Sequence, residues 1–434
     1  MTANLPLPIL LRRRDEDRLR RYRDNLDFYN GNQWPGRARR GERRLTFNYT
    51  RALVEKVTSY LVNGQAVQVE ARDGDTAAGR SRAREAERLL RQVESANGLA
   101  QLDFETELDC AVLGDACYKV TWAGEVRITA PDVQGMFAWR QPDDPSRLLA
   151  IASQYTLEGS GQPTLSAGPT NALTVTEYWT PEAFEIWHGD SLTERLANPY
   201  GFIPFIIFPN QREPKEVWGA SDVPPLMESN RELNRAFSQL SRILELSGNP
   251  IAVLEGVTGS QDIAVEPGAI WEVPERARAY LLDLLQGGGV ALHTDYMDLV
   301  YRTLHDLGES PRTAFGHNPG GLSGVALNTE LDPLAKKVAR KQRIRTAVYE
   351  RRAVMILRLL QQYGGLDITD LRPLMHWGPV LPIDRTREVG DEATLVAAGI
   401  HSRRTAAANL GVDDPEAEFG RVNEERAVDP GNAA

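Results

Sequence analysis

Two cysteines in 434 residues are too few for a disulfide framework. Cys110 and Cys117, seven positions apart beside Leu113, are expected as buried thiols on one helix face, because free cysteine behaves as a small hydrophobe. Apolar runs are short as well. The best of them, Phe202 to Phe208, is interrupted by Pro204, so no membrane span of about 18 residues is expected. The opening MTANLPLPILLRRR places apolar residues ahead of charges, the reverse of a secretory signal, and synthesis in the cytoplasm follows. Signatures of catalysis are missing too: there is no GxxxxGK[ST], no HExxH and no CxxC. The six histidines, His188, His293, His305, His317, His376 and His401, are scattered. His305, Asp306 and Glu309 have metal-ligating chemistry, yet His305 and Glu309 flank an apolar stripe and are expected at its solvated edge. Ser310, Ser323 and Ser402 lack the nucleophile-elbow pattern. Neither cofactor nor enzymatic activity is expected.

Excess positive charge is lacking overall, with a net charge of -10. The imbalance is local: residues 1 to 51 hold thirteen Arg against six acids, and residues 384 to 434 hold six Arg against eleven. A sequence-specific DNA binder is usually basic with its charge on a reading element, and this chain is not built that way. The arginines of Arg12 to Tyr29, an expected helix, and of Arg37 to Arg44 are interrupted by acids, which favours a solvated face or subunit contact over a nucleic-acid patch.

What is present is an α+β pattern. Helices are expected over Asn48 to Leu61, Ala83 to Ala96 and Leu99 to Val112, with a short strand at Val67 to Glu70. From Ala116 the period changes to two: Tyr118, Val120 and Trp122 alternate with polar residues, and Val126 and Ile128 form the return strand. Strands follow at Leu148 to Leu157, Leu173 to Thr180 and Phe184 to Trp187, and Phe202 to Phe208 is a strand buried on both sides. Glu158 to Asn171 is a surface hairpin tip.

The second half begins with a helix over Asp222 to Ser247, with Leu226, Leu233, Phe237, Leu240 and Leu244 at heptad-like spacing. A β-rich insert, Ile251 to Val273, separates it from a helix over Asp295 to Leu307. Ser310 to Gly324 carries Pro311, Gly316, Pro319, Gly320, Gly321 and Gly324, too many breakers for a regular element. A long basic helix comes next. Asp332-Pro333 suits an N-cap and first helical residue, or else Ser323 starts the helix and Pro333 kinks it. From Pro333 to Tyr363 it spans about 46 Å. Its cations Lys336, Lys337, Arg340, Lys341, Arg343 and Arg345 lie near nucleic acid or pair with an acidic neighbour, the second being preferred. Short helices close the chain, with Ser402 and Asp413 or Asp414 as caps. Glycine-rich backbone before a helix also suits phosphate, so a phosphate- or nucleotide-handling enzyme using Gly316 to Gly324 is the alternative. Against it, no strand precedes the loop. A free-standing helical DNA-binding protein is a third reading.

Six segments in this order resemble the portal proteins of tailed bacteriophages, SPP1-type group. They are FYNGNQW, NYTRALVEKVTSYLVNG at Asn48 to Gly64, LGDACYKVTWAGEVRITAPD at Leu113 to Asp132, YGFIPFIIFPN at Tyr200 to Asn210, GLSGVALNTELDPLAKK at Gly321 to Lys337 and GIHSRRTAAANLGVDDPEAEFGRVNEE at Gly399 to Glu425. The resemblance implies a ring-forming portal fold: wing 1–221, stem helix 222–250, β-rich clip 251–290, stem helix 291–309, tunnel loop 310–324, long wing helix and return 325–383, and crown 384–434. It implies a ring, dodecameric in that family, at one capsid vertex of the virion, through which double-stranded DNA passes without specific or lasting attachment. Implied partners are further copies of the chain, the terminase large subunit, a head-completion adaptor, and capsid and scaffolding proteins; no membrane is involved. The implied tunnel-loop residues are Arg312, Thr313, Phe315, His317, Asn318, Leu322 and Ser323. Arg312, His317 and Asn318 are expected to meet phosphates, while Phe315 and Leu322 act as apolar bumpers or pack on a neighbouring subunit. Leu233, Phe237, Leu240, Leu244, Leu299 and Leu304 are expected to pack between subunits in the stem.

Overall fold

A computed structural model describes residues 7–72, 76–144, 147–157, 173–248, 251–255, 278–282, 289–317, 324–368, 370–381, 385–412 and 415–428. The chain divides into two compact units, 1–378 and 379–434.

The first unit opens with helices α1 (Leu7–Arg14) and α2 (Glu16–Tyr29). The single helix expected over Arg12 to Tyr29 is thus broken at Asp15, whose carboxylate accepts from Arg14 and Arg18 instead of capping α2. Helix α3 (Tyr49–Leu61) starts where the Asn48 side chain accepts from Arg51 N at 3.1 Å. Strand β1 (Ala66–Ala71), α4 (Ala77–Ala96) and α5 (Leu99–Leu113) follow. Helix α5 ends at Gly114, where φ is +110° and a Cβ would lie 2.9 Å from Gly219 O, so both conformation and space require glycine there.

Strands β2 (Asp115–Trp122), β3 (Val126–Thr129), β4 (Met136–Arg140), β5 (Leu148–Leu157), β6 (Leu173–Trp179), β7 (Ala183–His188), β8 (Ser191–Ala197) and β9 (Phe205–Pro209) come next, then the short β10 (Gln211–Arg212) and β11 (Gly219–Ala220). They form a three-stranded sheet in the order β3-β2-β9, a meander β4 to β8, and the pair β10-β11. Among the described residues every ladder is antiparallel. Together with the helices this is an α+β architecture.

Two cores meet across α5 and β2. One gathers Tyr22, Phe28, Leu53, Val112, Cys117, Phe205 and Leu233; the other gathers Ala86, Cys110, Tyr118, Val120, Phe208, Tyr349 and Ile356. Alternation along β2 sends Cys117 to one core and its neighbours Ala116 and Tyr118 to the other. The two thiols are buried and free, but Cys117 belongs to this strand and does not share a helix face with Cys110.

Helix α6 (Pro224–Gly248) runs to the hairpin β12 (Ile251–Glu255) and β13 (Arg278–Leu282), and α7 (Gly289–Gly308) returns. Helix α7 begins at Gly289, earlier than the expected Asp295; the rest of the insert, 256–277 and 283–288, lies outside the described residues. Gly308 faces Leu226 and Tyr296 bonds Glu232, so the two helices run antiparallel. Helices α8 (Gly324–Glu330) and α9 (Asp332–Gly364) combine the two expected starts of the basic helix. Their backbone bonds continue across Leu331 while Pro333 occupies the first turn of α9, giving one helix interrupted at a proline. Strand β14 (Leu371–His376) returns to pair with β1.

The second unit holds α10 (Arg385–Ala397), α11 (Arg403–Asn409) and α12 (Pro415–Val428). The Ser402 side chain caps α11 by accepting from Thr405 N, as expected, whereas Asp413 and Asp414 lie outside the described residues.

Candidate functional site at the root of the glycine-rich loop

The loop leaves α7 by a sharp turn. Glu309 has φ +50°, a left-handed conformation that normally favours glycine after a helix. Its carboxylate accepts two bonds from Arg340 of α9, at 2.6 and 2.7 Å, which holds the turn in place. The Gly308 carbonyl at the end of α7 accepts from Lys337 at 3.0 Å. A cation there satisfies an orphan acceptor at the negative end of a helix.

Beyond Pro311, residues Arg312–Phe315 form a single 3-10 turn closed by Gly316 at φ +84°. Arg312 lies 5.1 Å over the Tyr301 ring and 3.6 Å from Asp298. Phe315 sets its ring edge against His305 at 5.6 Å, with Lys56 5.2 Å from its centroid. These contacts end an aromatic column running from Phe237 through Phe47, Tyr49, Tyr301 and His305 to Phe315. His317 is exposed. Asn318, Leu322 and Ser323 lie outside the described residues, as does most of the GGLSG stretch behind the nucleotide alternative.

His305 is buried and not at a solvated edge: Nδ1 lies 2.6 Å from the Ser310 carbonyl, and burial holds the imidazole below its ordinary pKa. His305 Nε2, Ser310 Oγ and Thr313 Oγ1 are buried without a hydrogen-bond partner among the described residues. Such atoms are few in folded proteins, and three here mark a weakly satisfied joint. Among the described residues no group of three side chains is arranged to hold a metal ion.

The basic helix meets acids of its own chain. Lys341 and Lys337 both reach Asp222, the second at 3.4 Å. Burial raises the Asp222 carboxyl, but the two ammonium groups more than offset this and hold it below the usual carboxylate range. Arg345 is completely buried; its Nε donates to both oxygens of Glu107 at 2.8 and 2.9 Å, and its Nη1 donates to the Pro209 and Asn210 carbonyls. Burial lowers the Arg345 pKa, yet Glu107 and the Cys110 beside it raise it above the ordinary value. Arg352 forms a two-pronged pair with Asp103, which also accepts from Tyr118. The acidic neighbour expected for these cations is therefore intramolecular. Lys336 instead pairs along its own helix with Asp332, and Arg343 is exposed.

This line of ions was missed, although a signal existed. Lys337, Lys341, Arg345 and Arg352 follow helical spacing among the apolar residues Leu334, Val338, Val348 and Met355, and Asp103 and Glu107 are four apart on a mostly buried helix.

The six stem residues divide. Leu233 and Leu304 are fully buried in the core of their own subunit, and Phe237 and Leu240 are half-buried against it. Leu244 and Leu299 remain 50% and 60% exposed. Leu292, Tyr296 and Leu307 add to the uncovered apolar surface of α7. Arg18, expected on a solvated arginine face, is buried over Trp218 and donates to the Val133 and Met136 carbonyls.

A family model described as phage portal protein, SPP1 Gp6-like, matches residues 10–429. No curated protein matches the chain.

Proposed function

We propose, from the premise that the chain belongs to the SPP1 Gp6-like phage portal protein family, that its copies close into a ring around a duplex at the capsid vertex. Membership carries the outline of the function: a phage portal through which the genome is packaged and ejected. The ring, its twelve copies, the roles of particular residues and the docking of a terminase, a head-tail adaptor and capsid or scaffolding proteins are our reading.

The observation that carries it is the α6–α7 hairpin. It is anchored by Leu233, Phe237, Leu240 and Leu304, yet it leaves Leu244, Leu292 and Leu299 uncovered. Apolar side chains at these positions lose contact with water only if another molecule covers them. A ring of identical copies does this with one repeated head-to-tail interface. Within it, Leu244 and Leu299 pack on neighbouring hairpins, and the β12–β13 hairpin forms the clip.

The segment Arg312 to Ser323 lines the channel. Arg312, His317 and Asn318 meet phosphates in passing, Thr313 and Ser323 face the duplex, and Phe315 and Leu322 form its apolar rim. Few cations suit a conduit: each neutralised phosphate strengthens binding and gives a salt slope of about -0.9, so a slippery channel needs few of them. The buried ionic line in α9 does not compete for DNA, because its charges are already matched.

Imaging of the purified full chain tests this, with closed rings of one size expected. A solitary monomer at high concentration overturns the reading. Removing Thr313 to Leu322 is expected to leave the rings intact while packaging fails; loss of rings in that variant would place the segment at the subunit interface instead.

A further inference from the structure

A second concentration of charge lies beside the hairpin, in the segment between Pro35 and Leu45. Arg37, Arg39, Arg40, Arg44, Arg242 and Glu42 line one open cleft of about 570 Å3. Glu42 is fully engaged: it accepts from Arg44 at 3.0 and 3.1 Å and from Arg39 N at 2.6 Å. Arg44 also donates to the Gly36 and Arg37 carbonyls, closing the segment on itself. That leaves Arg37, Arg39, Arg40 and Arg242 exposed and without an ion pair among the described residues.

The frame beneath them is fixed. Leu45 N donates to Ser238 Oγ at 2.9 Å, and Phe47 N donates to Asn234 Oδ1 at 2.8 Å, both on α6. Four unmatched guanidinium groups, from stretches some two hundred residues apart in sequence, are thereby held together on a chain whose net charge is -10. Like charges repel, so such a cluster is retained at a cost unless an anion occupies it.

We propose that this cleft, distinct from the Arg312 to Ser323 segment, binds the phosphate backbone of double-stranded DNA without reading base sequence. The choice of polyanion rests on the portal reading; the charge cluster does not. Guanidinium forks match phosphate oxygens in pairs. Apart from Pro35 the lining is charged, whereas a protein partner is usually met by an apolar or aromatic centre within a polar rim. Glu42 is turned onto Arg44 and the Arg39 backbone, which leaves the other four cations available to the ligand.

The test uses the full-length chain and a covalently closed circular duplex, which has no end to thread through a ring. Its binding is measured between 50 and 200 mM salt, an experimental range in which phosphate contacts are strongly screened. Four contacts predict a slope of about -3.6 in log K against log salt. The R37Q/R39Q/R40Q variant, which keeps Arg242, is expected to fall to about -0.9, to bind at least tenfold more weakly at the lowest salt, and to form unchanged rings. Wild-type affinity of that variant for the circle overturns the proposal. So does a preference of the wild type for a polyglutamate peptide over the circle, which would identify an acidic protein as the partner. Joint loss of rings and DNA binding also overturns it, assigning the cluster to contact between copies. If the wild type forms no rings but binds the circle with the expected slope, the ring reading fails and the cleft stands.

Discussion

Helices α9 and α7 meet at the Gly308 carbonyl, and they are completed to different degrees. On α9 the buried cations Lys337, Lys341, Arg345 and Arg352 each find a carboxylate or carbonyl within the same chain. On α7 the outward residues Leu292, Leu299 and Leu307 stay exposed. The first arrangement holds the chain together, and the second is the surface that the proposed ring would cover. Stability and assembly should therefore respond to separate sets of substitutions.

The largest effect is expected from breaking the first set. Glu107→Ala leaves Arg345 charged and unpaired in the core, where losing one partner costs about 3–5 kcal/mol, read as a drop in denaturant midpoint. Arg345→Lys keeps the charge but loses the fork that reaches the Pro209 and Asn210 carbonyls, so it too should lower the midpoint.

Asp222 sharpens the same side of the comparison through pH. Its folded-state pKa is depressed, so its contribution is fully present above the unfolded value near 3.9 and is lost as pH falls through the lower folded value. Unfolding free energy should therefore decline below about pH 4. Asp222→Asn should lose about 3 kcal/mol near neutrality and show a shallower acid decline. An unchanged acid slope would mean that other carboxylates set it.

Within α7, Leu304 and Leu299 separate the two roles on one helix. Leu304→Ala should destabilise the subunit by about 2–5 kcal/mol. Leu299→Ala should stay within about 0.5 kcal/mol yet weaken ring formation, measured by particle mass at falling concentration. Equal effects on both quantities would erase the distinction. A small change is also expected at the joint itself: Arg340→Ala removes a half-exposed pair with Glu309 and should cost under about 1 kcal/mol.

Local chemistry made much of this architecture legible. The period-two runs at Leu148, Leu173 and Phe184 became β5, β6 and β7, and Asn48 and Ser402 capped as their side chains allow. Strand β8 was illegible because every residue of SLTERLA is exposed, leaving no alternation to detect. Strand β14 was hidden by Pro373 and by a partner far away in sequence. At the loop root, Pro311 and Gly316 announced irregular backbone, but nothing local joins Phe47 to Phe237 or Tyr49 to Tyr301. Buried cations are the deepest difficulty: a helix carrying Lys337, Lys341 and Arg345 has the composition of a solvated surface, and only the acids it meets from α5 and from Asp222 make it an interior one.

The ladder between β1 and β14 aligns Ala66 with His376. A ribosome must therefore make most of the polypeptide before that ladder can close, and Val69 waits without its cross-strand companion until then. Nascent chains therefore keep this edge of β1 unpaired until late in translation.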